Sequence, residues 1–152
     1  MVFFYFYDMQ KIDEKILKFL KEHHVLTLAT CKDNIPWCCN CFYVFRKEEV
    51  IFLFTSGEKT RHIEEVQKNS VVAASVVLET KIVGKIQGLQ ITGRLHEMQG
   101  EELKTYKKEY LKRFPVAITF DTKYWMLTVD YMKMTDNRLV FGEKLIWERT
   151  QL

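Results

Sequence analysis

The stretch Val50-Ile51-Phe52-Leu53-Phe54-Thr55-Ser56-Gly57-Glu58-Lys59-Thr60-Arg61-His62 decides the fold. From Val50 to Phe54 every position is apolar, whereas a strand with one wet face alternates, so this segment predicts a strand covered on both sides, at the centre of a sheet or in a barrel wall. Glu48 and Glu49 mark the turn that enters it. Hydroxyls and Gly57 end it, and from Thr60 to Asn69 the apolar Ile63 and Val66 share one side while Glu64, Glu65 and Lys68 take others, which predicts a short helix.

Upstream, Val25 to Thr30 and Trp37 to Phe45 are β-rich runs around the polar turn Lys32-Asp33-Asn34-Ile35-Pro36, the pattern of an antiparallel hairpin. Before them, Met9, Ile12, Ile16, Phe19 and Leu20 recur at helical spacing, predicting an amphipathic helix that Asp8 caps and that ends near His23 and His24. Downstream, Val71 to Leu78 and Ile86 to Met98 predict two more strands, the second bending at Gly88 and Gly93. Glu101 to Phe114 predicts a helix with acidic residues in its first turn and Lys112 and Arg113 in its last, stopped by Pro115. Trp125 to Met134 and Leu139 to Phe141, flanking Thr135 to Arg138, predict a final hairpin. About seven strands and three helices, without βαβ alternation, define an α+β, mainly β, antiparallel domain, and a small closed or split β-barrel removes its sheet edges economically.

Composition agrees. The 152 residues, 47% hydrophobic and 28% charged, predict a single domain over 1–152 whose core needs no disulfide or metal, and exclude a disordered chain. Two Pro and six Gly exclude collagen-like and linker-rich architectures. The net charge of +3 is too small to require nucleic acid as a partner, although a small anion fits, and Lys104, Lys107, Lys108, Lys112 and Arg113 read as a solvated helix face. Val2 to Tyr7 is apolar without a preceding positive charge, and Asp8 follows. Neither a signal peptide nor a membrane span is expected there, so the expected location is cytoplasmic, and residues 1–8 read as an extra strand, a dimer contact or a disordered start.

The sequence lacks GxGxxG after a strand, GxxxxGK[ST] and GxSxG, which removes Rossmann, Walker and α/β-hydrolase chemistry. Cys31, Cys38, Cys39 and Cys41 are expected as free thiols. Cys38 and Cys39 are neighbours whose side chains point to opposite faces of a strand, and there is no CxxC, so no metal site is expected and the cysteines read as small apolar barrel residues. Nothing marks one of them as a nucleophile, since a depressed thiol pKa needs a neighbouring cation or helix N-terminus that only folding supplies. The positive signal is the strand-to-helix turn, where Lys59, Thr60, Arg61 and His62 can bind a phosphate; the alternative is ordinary capping by Ser56 or Thr60.

Five segments carry a resemblance: Trp37-Cys38-Cys39-Asn40-Cys41-Phe42-Tyr43, Lys59-Thr60-Arg61-His62, Arg113-Phe114-Pro115-Val116-Ala117, Thr135-Asp136-Asn137 and Phe141-Gly142-Glu143-Lys144-Leu145-Ile146-Trp147. Together they resemble the bacterial YhbP-like family, which looks like a branch of the pyridoxamine-phosphate-oxidase-like FMN-binding split barrels. The resemblance implies FMN as cofactor, a homodimer with flavin between subunits, and an oxidoreductase acting on a small molecule. The alternative is a non-catalytic barrel that binds flavin, haem or another planar ligand. The resemblance places the FMN phosphate at Thr55, Ser56, Lys59, Thr60, Arg61 and His62, with Thr60-Arg61-His62 standing where the oxidases carry Ser-Arg-Lys. It sets the strand from Trp37 beside the flavin ring, with Cys38 and Asn40 at the ring's polar edge. Gln87 or Gln90, Lys144 and Trp147 are candidates to complete the site; the alternatives are solvent-facing glutamines, a surface lysine and a core or interface tryptophan. The oxidases' basic motifs for pyridoxal phosphate are not recognisable, so pyridoxamine phosphate is not the expected substrate, and no catalytic acid or base is assigned because flavin supplies the redox chemistry.

Overall fold

The computed structural model describes residues 10–138 and 144–150. In chain order the elements are α1 (Glu14–Glu22), β1 (Val25–Lys32), β2 (Ile35–Phe42), β3 (Val44–Arg46), β4 (Ile51–Ser56), α2 (Arg61–Val66) and β5 (Val71–Val77). They continue with β6 (Gln87–Glu97), α3 (Gly100–Arg113), β7 (Lys123–Asp136) and β8 (Lys144–Glu148). All strand pairs are antiparallel, in the order β2-β1-β5-β6-β7-β4-β3, with β8 also on β7. The sheet curls around one core into a split barrel with helices against it, the α+β architecture expected. No helix among the described residues is long and apolar enough to cross a membrane.

The fully apolar strand behaves as its composition requires. β4 lies between β3 and β7, and Ile51, Phe52, Leu53 and Phe54 are all buried. The β1–β2 hairpin turns on Asp33 and Asn34, both at positive φ (52° and 62°), the type I′ geometry that Asn and Asp tolerate best. The expected single run from Trp37 to Phe45 is instead two strands. Tyr43 separates them, because its ring drops fully into the core, its hydroxyl donates to the Leu20 carbonyl at 2.9 Å and its N–H to that of His24 at 2.9 Å.

Two other expectations need correction, and a third falls outside the described residues. Asp13, not Asp8, caps α1, accepting from the Lys15 N–H at 2.8 Å; Asp8 and the run from Val2 to Tyr7 lie outside the described residues. The expected strand Leu139 to Phe141 lies outside the described residues; among those described, Lys144–Glu148 completes the hairpin with β7, Leu145 and Trp147 pairing opposite Met134 and Met132 over the core. Of the two glycines expected to bend β6, only Gly93 does so.

At Gly93 the β6–β7 register shifts: Thr92 pairs with Tyr131 and Gly93 with Val129, leaving Asp130 as the extra residue of a bulge. A Cβ at Gly93 would lie 2.2 Å from the Thr128 carbonyl oxygen, so only glycine permits this approach. At Gly88 the nearest atom to a Cβ would be 3.7 Å away, and no shift occurs. The bulge is also where β7 changes partners along its other edge: Ile51 to Ser56 pair with Lys123 to Thr128, and Lys144 to Glu148 with Tyr131 to Thr135. Arg149 closes the gap, donating to the carbonyls of Val129 (2.7 Å), Glu49 (3.0 Å) and Val50 (3.1 Å).

α2 is short and is held to the barrel by a polar contact as well as by Ile63 and Val66. Glu65 is buried; Thr30 of β1 donates to one carboxylate oxygen at 2.6 Å and Arg61 to the other at 2.9 Å. At the opposite side, Arg113 at the end of α3 donates to the carbonyls of Tyr43 (3.0 Å) and His23 (2.7 Å), tying that helix to the α1–β1 and β2–β3 junctions.

Gly93→Ala is expected to cost at least about 2 kcal/mol, since the displaced neighbour is backbone, while Gly88→Ala stays within about 1 kcal/mol of the parent; denaturant unfolding of the two variants measures the contrast. Thr30, and after it Arg61, hold the Glu65 carboxyl below the ordinary carboxylate range. A carboxylate with a lowered folded pKa contributes stability that is present above its unfolded pKa and is lost as pH falls through the folded value. Glu65→Gln is therefore expected to destabilise the protein at neutral pH, with the gap to wild type narrowing as the medium is acidified below the usual carboxylate range, read from unfolding midpoints against pH.

Candidate functional site

Ser56, the last residue of β4, is buried, and the chain turns through Gly57, Glu58 and Lys59 into α2. Because α2 starts so soon after the strand, the His62 ring folds back over the strand end: its Nε2 lies 2.6 Å from Ser56 Oγ and 3.1 Å from Thr60 Oγ1. Thr60 Oγ1 donates to the Gly57 carbonyl at 2.9 Å and lies 3.3 Å from Ser56 Oγ. Thr60 occupies the N-cap position, but its hydroxyl makes no cap bond and is directed to the turn. Two hydroxyls and an imidazole thus form one hydrogen-bonded cluster whose proton positions depend on the His62 tautomer.

Arg61 stands beside this cluster in a fixed pose. Its Nε donates to Glu65, and its guanidinium carbon lies 4.2 Å from the centroid of the Trp37 ring on β2. Its terminal nitrogens make no hydrogen bond among the described residues. Lys59 is exposed on the turn. Thr55 lies one residue further back, its hydroxyl 3.5 Å from Tyr110 Oη, which itself donates to the Phe42 carbonyl at 3.1 Å.

Strand β2 divides the remaining candidates by face. Trp37, Cys39 and Cys41 pair opposite Thr30, Leu28 and Leu26 and share their core side; Cys38 and Asn40 pair opposite Ala29 and Thr27 on the outer side. The Cys39 and Cys41 sulfurs are 4.0 Å apart. The hydrogen bond from Cys41, assisted by one from His62, draws the Cys39 thiol well below its usual range; that same bond and burial push Cys41 up, so Cys39 is the sulfur that ionises first.

On the outer side Asn40 accepts from the Thr27 hydroxyl at 2.9 Å and begins a row that crosses the sheet through Thr27, Ser75, Gln90, Lys133 and Ile146. Asn40 and Gln90 therefore share a face and a line. Lys144 is exposed on that face, its Nζ donating to Thr135 Oγ1 at 3.0 Å. Gln87 and Trp147 are not brought to it. Gln87 is buried, accepting from Arg138 at 2.9 Å, because the neighbouring Arg138–Asp136 pair occupies its amide. Trp147 is 1% exposed, and its indole N–H donates to the Gln10 carbonyl at 2.6 Å, which makes it a core residue.

The sequence reasoning passed over Glu65, Thr30 and the Cys39–Cys41 pair. The first carried a signal in its spacing four residues after Arg61 on a helix, and the last in its two-residue spacing on a strand; the Thr30 contact spans 35 positions and had none.

A family model described as Pyridoxamine 5'-phosphate oxidase matches residues 12–139. UPF0306 protein plu4501 of Photorhabdus laumondii is 40% identical over 134 residues, covering 88% of this chain and 94% of that protein. Among solved structures, the heme binding protein from Mycobacterium smegmatis superposes with a TM-score of 0.73 at 15% identity, covering 86% of this chain and 55% of that one, so this chain spans about half of its length. A FAD-binding protein from Mesorhizobium loti superposes with a TM-score of 0.66 at 15% identity, covering 80% and 91%. The fold is thus one shared with solved proteins of widely different sequence, and the chain belongs to the UPF0306 family of YhbP-like proteins, within the pyridoxamine 5'-phosphate oxidase-like split barrels.

Proposed function

We propose that this protein is an FMN-binding flavoprotein that acts as an oxidoreductase on a small molecule. The observation that carries the reading is the donor set at the end of β4: Ser56, Thr60, His62 and the oriented Arg61 guanidinium present hydroxyl, imidazole and bidentate donors within one turn, the chemistry that a terminal phosphate requires. Lys59 adds a solvated charge. Glu65 lowers the local positive charge but holds the guanidinium in place, so less side-chain entropy is lost on binding.

The residues present fit the rest of the group as well. β2 ends the β2-β1-β5-β6 side of the sheet, so its outer edge offers backbone groups that no further strand among the described residues pairs, and Asn40 and Gln90 present amides that both donate and accept. When bound, flavin supplies hydride transfer at its N5. This chain's own residues bind and orient it; none is assigned as an acid or base.

The second part of the proposal is a homodimer that buries the outer face. Val25, Phe42, Val71, Val77 and Ile146 all lie on that face and are 42 to 58% exposed, an apolar surface that a monomer leaves in water at a cost of about 25 cal/mol per Å2. A second copy on this face brings its own residues toward Asn40, Gln90 and Lys144.

Denaturing the purified protein and measuring the mass of what is released tests the cofactor; FMN is expected, and a Soret band with no flavin overturns the reading in favour of haem. Arg61→Ala is expected to cost about 1.5 to 3 kcal/mol of FMN affinity, roughly tenfold or more, and to leave riboflavin, which lacks the phosphate, almost unaffected. Equal effects on both ligands, or none on either, refute the phosphate role of Arg61. Light scattering at micromolar concentration is expected to report a dimer, and Val71→Asp with Ile146→Asp a folded monomer with weakened FMN binding.

A further inference from the structure

Cys39 and Cys41 are a second chemical unit of the barrel that the flavin reading does not use. They stand two residues apart on β2, on one face, with sulfurs 4.0 Å apart, and, after the neighbouring Cys41 thiol, the His62 imidazole of α2 acts electrostatically to lower the Cys39 pKa. Cys41 is 7% exposed, while Cys39 is half-buried next to the partly exposed Trp37. The other two thiols lie apart from this arrangement: Cys38 is exposed on the opposite face of the same strand, and Cys31 is on β1 opposite Pro36. Among the described residues no three His, Cys, Asp or Glu side chains converge as a metal site, so the pair is a dithiol.

We propose that Cys39 is a hydroperoxide-reactive thiol and Cys41 its resolving partner, forming a reversible intramolecular oxidation site in the barrel wall. The two sulfurs have different roles because they sit at different depths. Cys41, the deeper sulfur, keeps its proton, because burial penalises its thiolate; on the less buried Cys39 negative charge is stabilised by the neighbouring Cys41 thiol and by the His62 imidazole. The titratable groups that face the pair are His62 from α2 and Tyr110 from α3, the latter beside Cys41 and itself raised by burial; Arg61 is turned away onto Trp37 and Glu65.

The chemistry closes without a further reactant. The Cys39 thiolate attacks one oxygen of the hydroperoxide, the S–O bond forms as the O–O bond breaks, and the leaving oxygen departs as hydroxide or alkoxide and takes a proton. Sulfur is oxidised by two electrons to sulfenic acid. The Cys41 sulfur then attacks the Cys39 sulfur, the S–S bond forms as the S–O bond breaks, and the hydroxide leaves with the Cys41 proton as water. Two strand residues at this spacing have Cα atoms up to about 6.8 Å apart, the outer limit for a disulfide, so closure requires β2 to bend, and the product is a strained bond that small thiols reduce readily. β2 bends at modest cost because, among the described residues, the sheet pairs it on one side only, with β1.

The test uses the full chain, reduced, then treated with one equivalent of hydrogen peroxide and blocked with N-ethylmaleimide before mass analysis. The expected result is a protein that has lost two hydrogens and two alkylation sites, reversed by dithiothreitol. Cys41→Ser is expected to stop at a sulfenic acid on Cys39 that dimedone traps. Cys39→Ser is expected to slow the reaction about tenfold or more, toward that of an ordinary thiol only a few per cent ionised at neutral pH, and Cys38→Ser to leave it unchanged. His62→Gln, a smaller perturbation of the turn than alanine, is expected to slow sulfenic-acid formation while the thermal midpoint confirms that the protein is folded. A reaction lost in Cys38→Ser, one unaltered in Cys39→Ser, or oxidation no faster than that of free cysteine overturns the proposal. Because none of these measurements requires bound flavin, the inference stands or falls separately from the cofactor assignment.

Discussion

The contact of the Gly93 backbone with the Thr128 carbonyl governs the shape of this molecule. A strand as long as β7 cannot stay flat against β6 over its whole length and still enclose a core, because the twist of paired strands accumulates along the sheet. The bulge at Asp130 absorbs that strain at one point. On one side of it β7 pairs with β4; on the other side it pairs with β8. The close approach that a missing Cβ permits lets β6 follow β7 through the bulge, at the point where the opposite edge of β7 passes from β4 to β8. The seam that results is closed by Arg149, whose guanidinium answers three carbonyls that the change of partner exposes, a concentrated use of one side chain's donors.

The position of β4 determines where the polar cluster forms. Because β4 is buried along its length, its end is the first place where the chain meets solvent, and the short turn into α2 packs hydroxyl, imidazole and guanidinium groups into a few residues. The Thr30–Glu65 contact sets the angle at which α2 leaves the strand, and so the direction in which Arg61 extends. A polar contact buried under a helix therefore orients a side chain on the surface. The alternation of β2 also divides its residues between two places: one set shares the core side with Trp37 beside Arg61, the other joins the row of amides outside.

Sequence reasoning succeeded where one periodicity ruled a segment and failed where two distant segments met. Val50 to Phe54 announces a doubly covered strand because no alternative places five apolar side chains in a row, and Asp33-Asn34 announces its turn through backbone preference alone. Tyr43 was invisible: it is an aromatic residue within an aromatic run, and only the carbonyl of Leu20 and the core space that receives its ring mark it as a break. The candidate site was legible at Ser56, Thr60, Arg61 and His62, which are local, and less so at Gln87 and Trp147, whose amide and indole are claimed by Arg138 and the Gln10 carbonyl. Cys39 and Cys41 were countable but not interpretable, since their two-residue spacing acquires meaning only once the two sulfurs are known to lie 4.0 Å apart on one face.

The stacking of Arg61 on Trp37 has an optical consequence. The chain holds three tryptophans. Trp125 and Trp147 are 3% and 1% exposed, whereas Trp37 is 42% exposed and lies beneath the guanidinium that flanks the cluster at β4. Two indoles thus emit from an apolar interior, and the third emits from the mouth of the site, partly in water and under a cation that perturbs its excited state. The red-shifted part of the intrinsic fluorescence belongs to that single residue, which makes Trp37 a built-in reporter of whatever occupies the space beside Arg61, without any label being introduced.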